Sequence, residues 1–338
     1  MQIRPVTSKS AWESFLATYP EKTFLHSWNW GQFNQSSGEQ IFYLGVFDEG
    51  EQLLGVALVI KVVARRGTFL FCPHGPLLDW QHPEHFEALI NYLKDLARKD
   101  GASFIRVSPL LPATPENLQH FKKVGFRKAP IHMHAETTWT LDLGPSEEEL
   151  LNKMRKNTRY YVRRGAKNGV TVEMHTDIKA VDEFYAIHEE TVKRHGFVPF
   201  SLDYLHKQFE AFAPDNQLAI FHAKFEGKTV SSAVIPFYGD SAFYHHGASS
   251  DQYSKVPSAY LLQWEIIREA KRRGLKKYNF WGIAPTDSPK HPWHGLSLFK
   301  TGFGGYRTDL VPAQDLPLGF SYYKTWIIDR WRHWRRGF

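Results

Sequence analysis

The residues best suited to chemistry in this sequence lie between Leu150 and Val170, in the stretch LLNKMRKNTRYYVRRGAKNGV. Seven cations fall there (Lys153, Arg155, Lys156, Arg159, Arg163, Arg164 and Lys167), and no acid does. Solvated charged faces ordinarily mix signs, whereas an all-positive face attracts phosphate. Leu151, Met154, Thr158 and Tyr161 or Val162 recur at three- and four-residue spacing, which predicts a helix pinned to a core along one stripe. Ser146 and Glu149 carry the capping-box pattern at its start, and Gly165 or Gly169 supplies a stop. Arg155, Arg159 and Arg163 then run along a second stripe as an anion-binding face.

Other chemistries lack their signatures. The sequence holds no GxxxxGK[ST] loop, no GxSxG elbow and no HExxH. Its single cysteine, Cys72, excludes an intramolecular disulfide and a cysteine zinc site, and fits a reducing compartment. Among 17 histidines the close pairs are His291/His294, His132/His134 and His245/His246, none with carboxylates at a spacing that completes a site. Neither a metal nor a cofactor is therefore expected. Net charge is +7 with 35 acids also present, so the basic character is local and favours an anionic partner: nucleic acid, nucleotide, phospholipid or pyrophosphate. The first residues lack an apolar signal core, and runs such as Leu53 to Ala64 are too short to span a bilayer. The expected location is the cytoplasm, with peripheral contact at the inner face of the membrane as an extension.

The elements that must position these residues come in two similar sets. Ala11 to Ala17 reads as a helix, then FLHSWNWGQF gathers Phe24, Trp28, Trp30 and Phe33 into an aromatic patch whose plainer role is core packing. Ile41 to Asp48 and Leu53 to Val63 form a hairpin about Glu49-Gly50, with Thr68 to Cys72 a further strand. Pro83 to Asp100 is a helix, Phe104 to Val107 a strand, and Glu136 to Leu143 a last strand. The order returns after the basic helix. VFDEGEQLLGVALVI answers AKFEGKTVSSAVIPF, FCPHGP answers YHHGAS, and FKKVGFRK answers FKTGFGGYR. The offset stays between 172 (His74 to His246) and 178 residues (Phe121 to Phe299), which marks a duplication at domain scale. Each set implies a mixed α/β sheet with one parallel crossover, an order similar to the N-acetyltransferase type of fold. The expected architecture is α/β, with two tandem N-acetyltransferase-like (GNAT) domains and mixed sheets. Residues 1–144 with 311–338 form the first domain and 145–310 the second. The tail YYKTWIIDRWRHWRR (Tyr322 to Arg336) carries three tryptophans among five cations. It reads as a helix docked on the first domain, as an interfacial helix on an anionic membrane, or as both.

Four stretches together carry a family likeness. KMRKNTRYYVRRGAKNGV, HHGASSDQYSKVPSAYLLQWEIIREAKRRGLKKYNFWGI, GLSLFKTGFGG and FLHSWNWGQF resemble the Fem family of peptidoglycan aminoacyltransferases, in that family's order and spacing. The resemblance implies transfer of an amino acid from aminoacyl-tRNA to the stem peptide of a peptidoglycan precursor, UDP-MurNAc-pentapeptide or lipid II. It implies two acetyltransferase-like domains, the first completed by the C-terminal tail. No pair of long heptad helices is present, so the chain resembles the compact, FemX-like form without a coiled-coil arm.

By the same resemblance, Phe299 and Lys300 sit where the family keeps a Phe-Lys pair at the tRNA acceptor end and reacting ester. A lysine there would neutralise the terminal phosphate or steady the tetrahedral oxyanion. Gly302, Gly304 and Gly305 would allow close backbone approach beside it. Tyr260 matches a position near the muramyl substrate, with Gln263 one turn on. Arg159, Arg163 and Asn157 are the candidate contacts of the basic helix, Arg159 and Arg163 to the diphosphate. Trp30 and Gln32 are candidates in the N-terminal signature, although relatives carry a lysine where Gln32 stands. Ser108-Pro109 replaces the Asp-Pro of relatives, so no general base is assigned. The competing readings are an acyl-CoA-dependent N-acyltransferase of the same fold, and a non-catalytic RNA or membrane-surface module. HGPLLDW and HGASSDQYSKVPSAY both lack a Gly-x-Gly turn that would cradle a pyrophosphate, which counts against the first.

Overall fold

Strands buried on both faces read as continuous apolar runs, and the centre of the first sheet is made of two such runs. The computed structural model describes residues 1–195 and 198–336 and divides into two units, Met1–Glu136 with Asp309–Phe338, and Thr137–Thr308. In the first unit, β1 (Gln2–Pro5) is followed by α1 (Lys9–Thr18) and α2 (Trp28–Ser36). Then come β2 (Gln40–Phe47), β3 (Leu53–Ala64), β4 (Gly67–His74), α3 (Pro83–Lys99), β5 (Phe104–Pro109), α4 (Pro115–Lys123) and β6 (Arg127–Lys128). The helix α3 forms where Pro83 opens it, Glu84 faces its positive end and Arg98 and Lys99 its negative end. Phe86, Leu89, Ile90, Leu93 and Ala97 repeat every three or four residues and are buried against the sheet.

The second unit contains β7 (Thr137–Asp142), α5 (Glu147–Lys153), α6 (Lys156–Lys167), β8 (Thr171–His175), α7 (Lys179–His195) and α8 (Leu202–Phe212). It continues through β9 (Leu218–Phe225), β10 (Lys228–Tyr238), β11 (Ser241–Phe243), β12 (His246–Ser249), α9 (Ser258–Arg272), β13 (Lys277–Gly282), α10 (His294–Thr301) and β14 (Tyr306–Asp309). The chain then supplies β15 (Gln314–Pro317) and α11 (Ser321–Arg336), both packed within the first unit.

The duplication is written into the strand orders. The first sheet runs β1-β2-β3-β4-β5-β15-β6, and the second, read from its far edge, runs β8-β9-β10-β11-β13-β7-β14. Each has one parallel pair in its middle, β4 with β5 and β11 with β13. The sixth place in each sheet goes to a strand remote in sequence: β15 beside β5, and β7 beside β13. This corrects the expected boundary at residue 144. Thr137–Asp142 pairs antiparallel with Lys277–Gly282 and belongs to the second unit, because pairing across a sheet is set by non-local partners rather than by chain order. Among the described residues no helix exceeds 17 residues, so no coiled-coil arm projects. None is long and apolar enough to cross a membrane.

The basic stretch is two helices where one was expected. Ser146 and Glu149 close the capping box that starts α5, with Ser146 N–H donating to Glu149 Oε2 at 2.8 Å. Met154 then turns extended (ψ 149) and so does Arg155 (ψ 144), and α6 begins at Lys156. Met154 is buried in the second core, which anchors the break.

Candidate functional site

The break between the two helices decides which cations can act together. Along α6, Thr158, Val162 and Gly165 form the buried stripe. Asn157, Tyr161 and Arg164 lie on one flank of that stripe, and Arg159 and Arg163 on the other. The first flank, with Lys156 at the start of the helix, faces a cavity. A pocket of about 440 Å³ is lined by Arg155, Lys156, Asn157 and Tyr161 from the basic segment, with Tyr260 from α9 and Phe299 from α10. It sits at the N-terminal end of α6, where free backbone N–H groups add partial positive charge to two cations. A second cavity of about 760 Å³ shares Tyr161 and Tyr260 and adds Arg164, Lys255, Ser231 and Ser258.

Aromatic rings hold the shared wall. Tyr161 and Tyr260 lie 4.9 Å apart by ring centroids, and Tyr260 meets Phe299 edge-on at 5.0 Å. Tyr260 and Phe299 are half-buried, each with one face on the core through Phe303. Cations beside open aromatic faces suit a ligand with phosphates and flat bases.

Arg155 is fixed rather than loose. Its guanidinium donates to Leu298 O at 2.7 Å and to the Thr301 hydroxyl, and its backbone N–H donates to Gly302 O at 2.9 Å. A side chain at Gly302 would collide with Thr158 Oγ1, so glycine there lets the end of α10 press against the start of α6. Gly305, at φ +104, lies so close to Thr140 O that a Cβ cannot fit.

Lys300 follows Phe299 on α10 and points inward. It is 5% exposed, and its Nζ donates to Gly282 O at 2.6 Å. Beside it β13 bulges: the ladder to β7 slips between Asn279 and Gly282, and Trp281 takes φ 65, rare for a bulky residue. The Nζ is 5.5 Å from the Tyr244 ring centroid, and among the described residues no carboxylate compensates its charge. Burial alone lowers its pKa from 10.5 to about 7. An amine so placed is ready to gain from an anion that forms next to it.

Several expected contacts fall elsewhere. Arg159 does not line the cavities; its guanidinium donates to Asn152 O at 3.1 Å and Leu151 O at 3.4 Å, capping the end of α5. Arg163 is exposed on the same far flank. Gln263 is 1% exposed and its Oε1 accepts from Tyr278 O–H at 2.7 Å, so it is a core residue one turn deeper than Tyr260. Trp30 is buried in the first unit against Phe24 and Phe33, and Gln32 lies beside it, donating weakly to Tyr43 Oη at 3.4 Å. Lys300 itself lines neither pocket, whereas Arg155 and Lys156 line the smaller one. Asn157, Tyr260 and Phe299 do line the smaller one.

Arg155 lines the smaller pocket, apart from Arg159 and Arg163 with which the sequence groups it; Lys156 and Arg164, read there only as members of the cation run, and Tyr161, read as a core position, line the cavities as well, and the spacing of Asn157, Tyr161 and Arg164 is the signal. His82, Glu84 and His85 at the start of α3 bring three possible ligand atoms within 4.8 Å of one another.

Comparison with known proteins accords with this layout. The FemAB family model matches residues 7–230 and 217–325. The lipid II:glycine glycyltransferase of Staphylococcus aureus (strain USA300) is 21% identical over 389 aligned positions, covering 92% of this chain and 92% of its own. A crystal structure of FemX superposes with a TM-score of 0.86 at 19% identity, covering 97% of this chain and 100% of that one. A tandem GNAT protein from the clavulanic acid biosynthesis pathway superposes at 0.56 and 12% identity, covering 83% and 84%. The fold is that of two tandem GNAT-like domains.

Proposed function

Since the chain belongs to the FemAB family, we propose that it transfers an amino acid from aminoacyl-tRNA to the stem peptide of a peptidoglycan precursor. The relative named lipid II:glycine glycyltransferase supports a bridge-building aminoacyl transfer of this kind. The observation that carries the reading is the pocket at the start of α6, where Arg155 and Lys156 meet Tyr161, Tyr260 and Phe299. Cations take up phosphate, and open rings stack on the bases of a single-stranded acceptor end. Both substrates are polyanions, which fits two cavities sharing one aromatic wall.

In the reaction the stem amine attacks the ester carbonyl. A C–N bond forms, the C–O bond to the ribose breaks, and the amine proton passes to the ribose oxygen, through the substrate itself when the groups are held in line. Phe299 positions the ester, and Lys300 behind it stabilises the oxyanion of the tetrahedral intermediate. Its pKa near 7 rises as that negative charge develops, so it is most strongly protonated when needed. Asn157 and Tyr260 contribute polar contacts at the pocket wall.

The test is a mass spectrum of muropeptides from cells with and without the gene. The proposal expects one residue, or a short chain of residues, on the stem peptide to be lost with the gene. Identical spectra would overturn it.

A further inference from the structure

The last helix, α11, carries two opposed faces, and the fold uses one of them. Tyr322, Thr325 and Asp329 recur at three and four residues and are fully buried in the first unit. Tyr322 meets Phe104 edge-on at 5.2 Å, and Thr325 Oγ1 donates to Arg66 O at 2.6 Å. Asp329 pairs with Arg106 and with Arg66, each at 3.2 Å. This face accounts for docking, and it hides the only acid of the helix.

The opposite face is apolar and open. Phe320, just ahead of the helix, and Tyr323, Ile327, Trp331 and Trp334 follow one another at three, four, four and three residues. At 3.6 residues per turn they stay within an arc of about 80°, nearly opposite Asp329. They are 94%, 44%, 61%, 52% and 79% exposed. Exposed Lys324 and Arg335 border that arc on one side and exposed Arg330 on the other. The Arg335 guanidinium sits 5.4 Å over the Trp331 ring, and a groove of about 650 Å³ runs past Ile327 and Trp334.

A folded chain rarely leaves such a stripe to water without a use for it. A second copy would set Lys324, Arg330 and Arg335 against their own equivalents across a two-fold axis. An RNA would give Ile327 nothing to stack on. An anionic bilayer answers both features: rings and Ile327 enter the headgroup and acyl boundary while the bordering cations meet lipid phosphates. We infer that α11 is an interfacial helix that seats the protein on an anionic phospholipid membrane through Phe320, Tyr323, Ile327, Trp331 and Trp334. The inference stands on the surface of the first unit and not on the proposed reaction. If both hold, the acceptor is the lipid-linked precursor.

The experiment is co-flotation of the full chain with vesicles of phosphatidylcholine alone or mixed with phosphatidylglycerol, without tRNA or precursor, so that loss of transfer activity and loss of binding are read separately. The wild type is expected to float with the mixed vesicles and far less with phosphatidylcholine. Trp331→Ala and Trp334→Ala should each weaken partitioning about tenfold. Arg330→Gln with Arg335→Gln should remove the preference for the anionic lipid. These side chains are exposed, so unchanged thermal unfolding keeps the variants informative. Absence of wild-type binding, or binding indifferent to both tryptophans, overturns the inference. A wild-type dimer dispersed by Trp331→Ala, with no vesicle binding, assigns the stripe to a second copy instead.

Discussion

Replacing Lys300 with methionine reads the buried amine directly. Burial lowers its pKa from 10.5 to about 7, while the unfolded chain holds the proton at the ordinary lysine value. Between those values the unfolded state binds more protons than the folded one, so this group makes stability rise with pH by up to about 1.4 kcal/mol per unit. Below pH 7 both states are protonated and the full penalty applies, roughly 5 kcal/mol. Methionine keeps most of the stem packing and abolishes the titration. It also leaves Gly282 O without its 2.6 Å donor, a loss of about 1–3 kcal/mol. Lys300→Met is therefore expected to be the more stable protein at pH 6, and its advantage should shrink by roughly 2 kcal/mol between pH 7 and pH 9. Paired urea unfolding at several pH values measures this, because other titrating groups cancel between the two proteins. A difference that stays constant across that range would show the amine to be solvated and would refute the reasoning.

The remaining predictions concern the pocket and the two cores. Lys156→Ala should weaken tRNA binding and lower its salt slope by about 1, whereas Arg163→Ala should leave both unchanged; fluorescence anisotropy across a salt series reads this. Gln263→Ala should cost about 1–3 kcal/mol in urea unfolding by stripping the Tyr278 hydroxyl of its acceptor, with substrate affinity intact. Asp329→Ala should cost about 3–5 kcal/mol in the same assay, since it leaves Arg106 with a partner missing inside the first unit.

How far the sequence discloses this molecule depends on the range of each interaction. Helices and hairpins are legible because periodicity, caps and turn residues act within a few positions: Pro83 to Gly101 and Glu49-Gly50 mark their elements on their own. The duplication is legible for the same reason, repeated. The placement of β7 in the second sheet is not, since a strand carries no local mark of the sheet it joins. The basic segment misleads in a specific way. Neither glycine nor proline flags the break at Met154 and Arg155, so a straight stripe through Arg155, Arg159 and Arg163 looks sound, whereas the pocket takes Arg155 with Asn157 and Tyr161 and leaves Arg159 and Arg163 outside it. Depth is also hidden. Three-residue spacing puts Gln263 near Tyr260 without showing that Tyr278 takes it into the core, and residue type alone suggests a solvated Lys300 where the fold buries it.

The central claim is that this protein moves an aminoacyl group from tRNA onto a muramyl peptide. Purified protein incubated with isotope-labelled aminoacyl-tRNAs and either UDP-MurNAc-pentapeptide or lipid II measures it most directly. Label is predicted to pass to one acceptor, with the rate lowered about 10²–10³-fold in Lys300→Met. No transfer from any charged tRNA to either acceptor, with acetyl-coenzyme A as an active donor instead, would contradict the account.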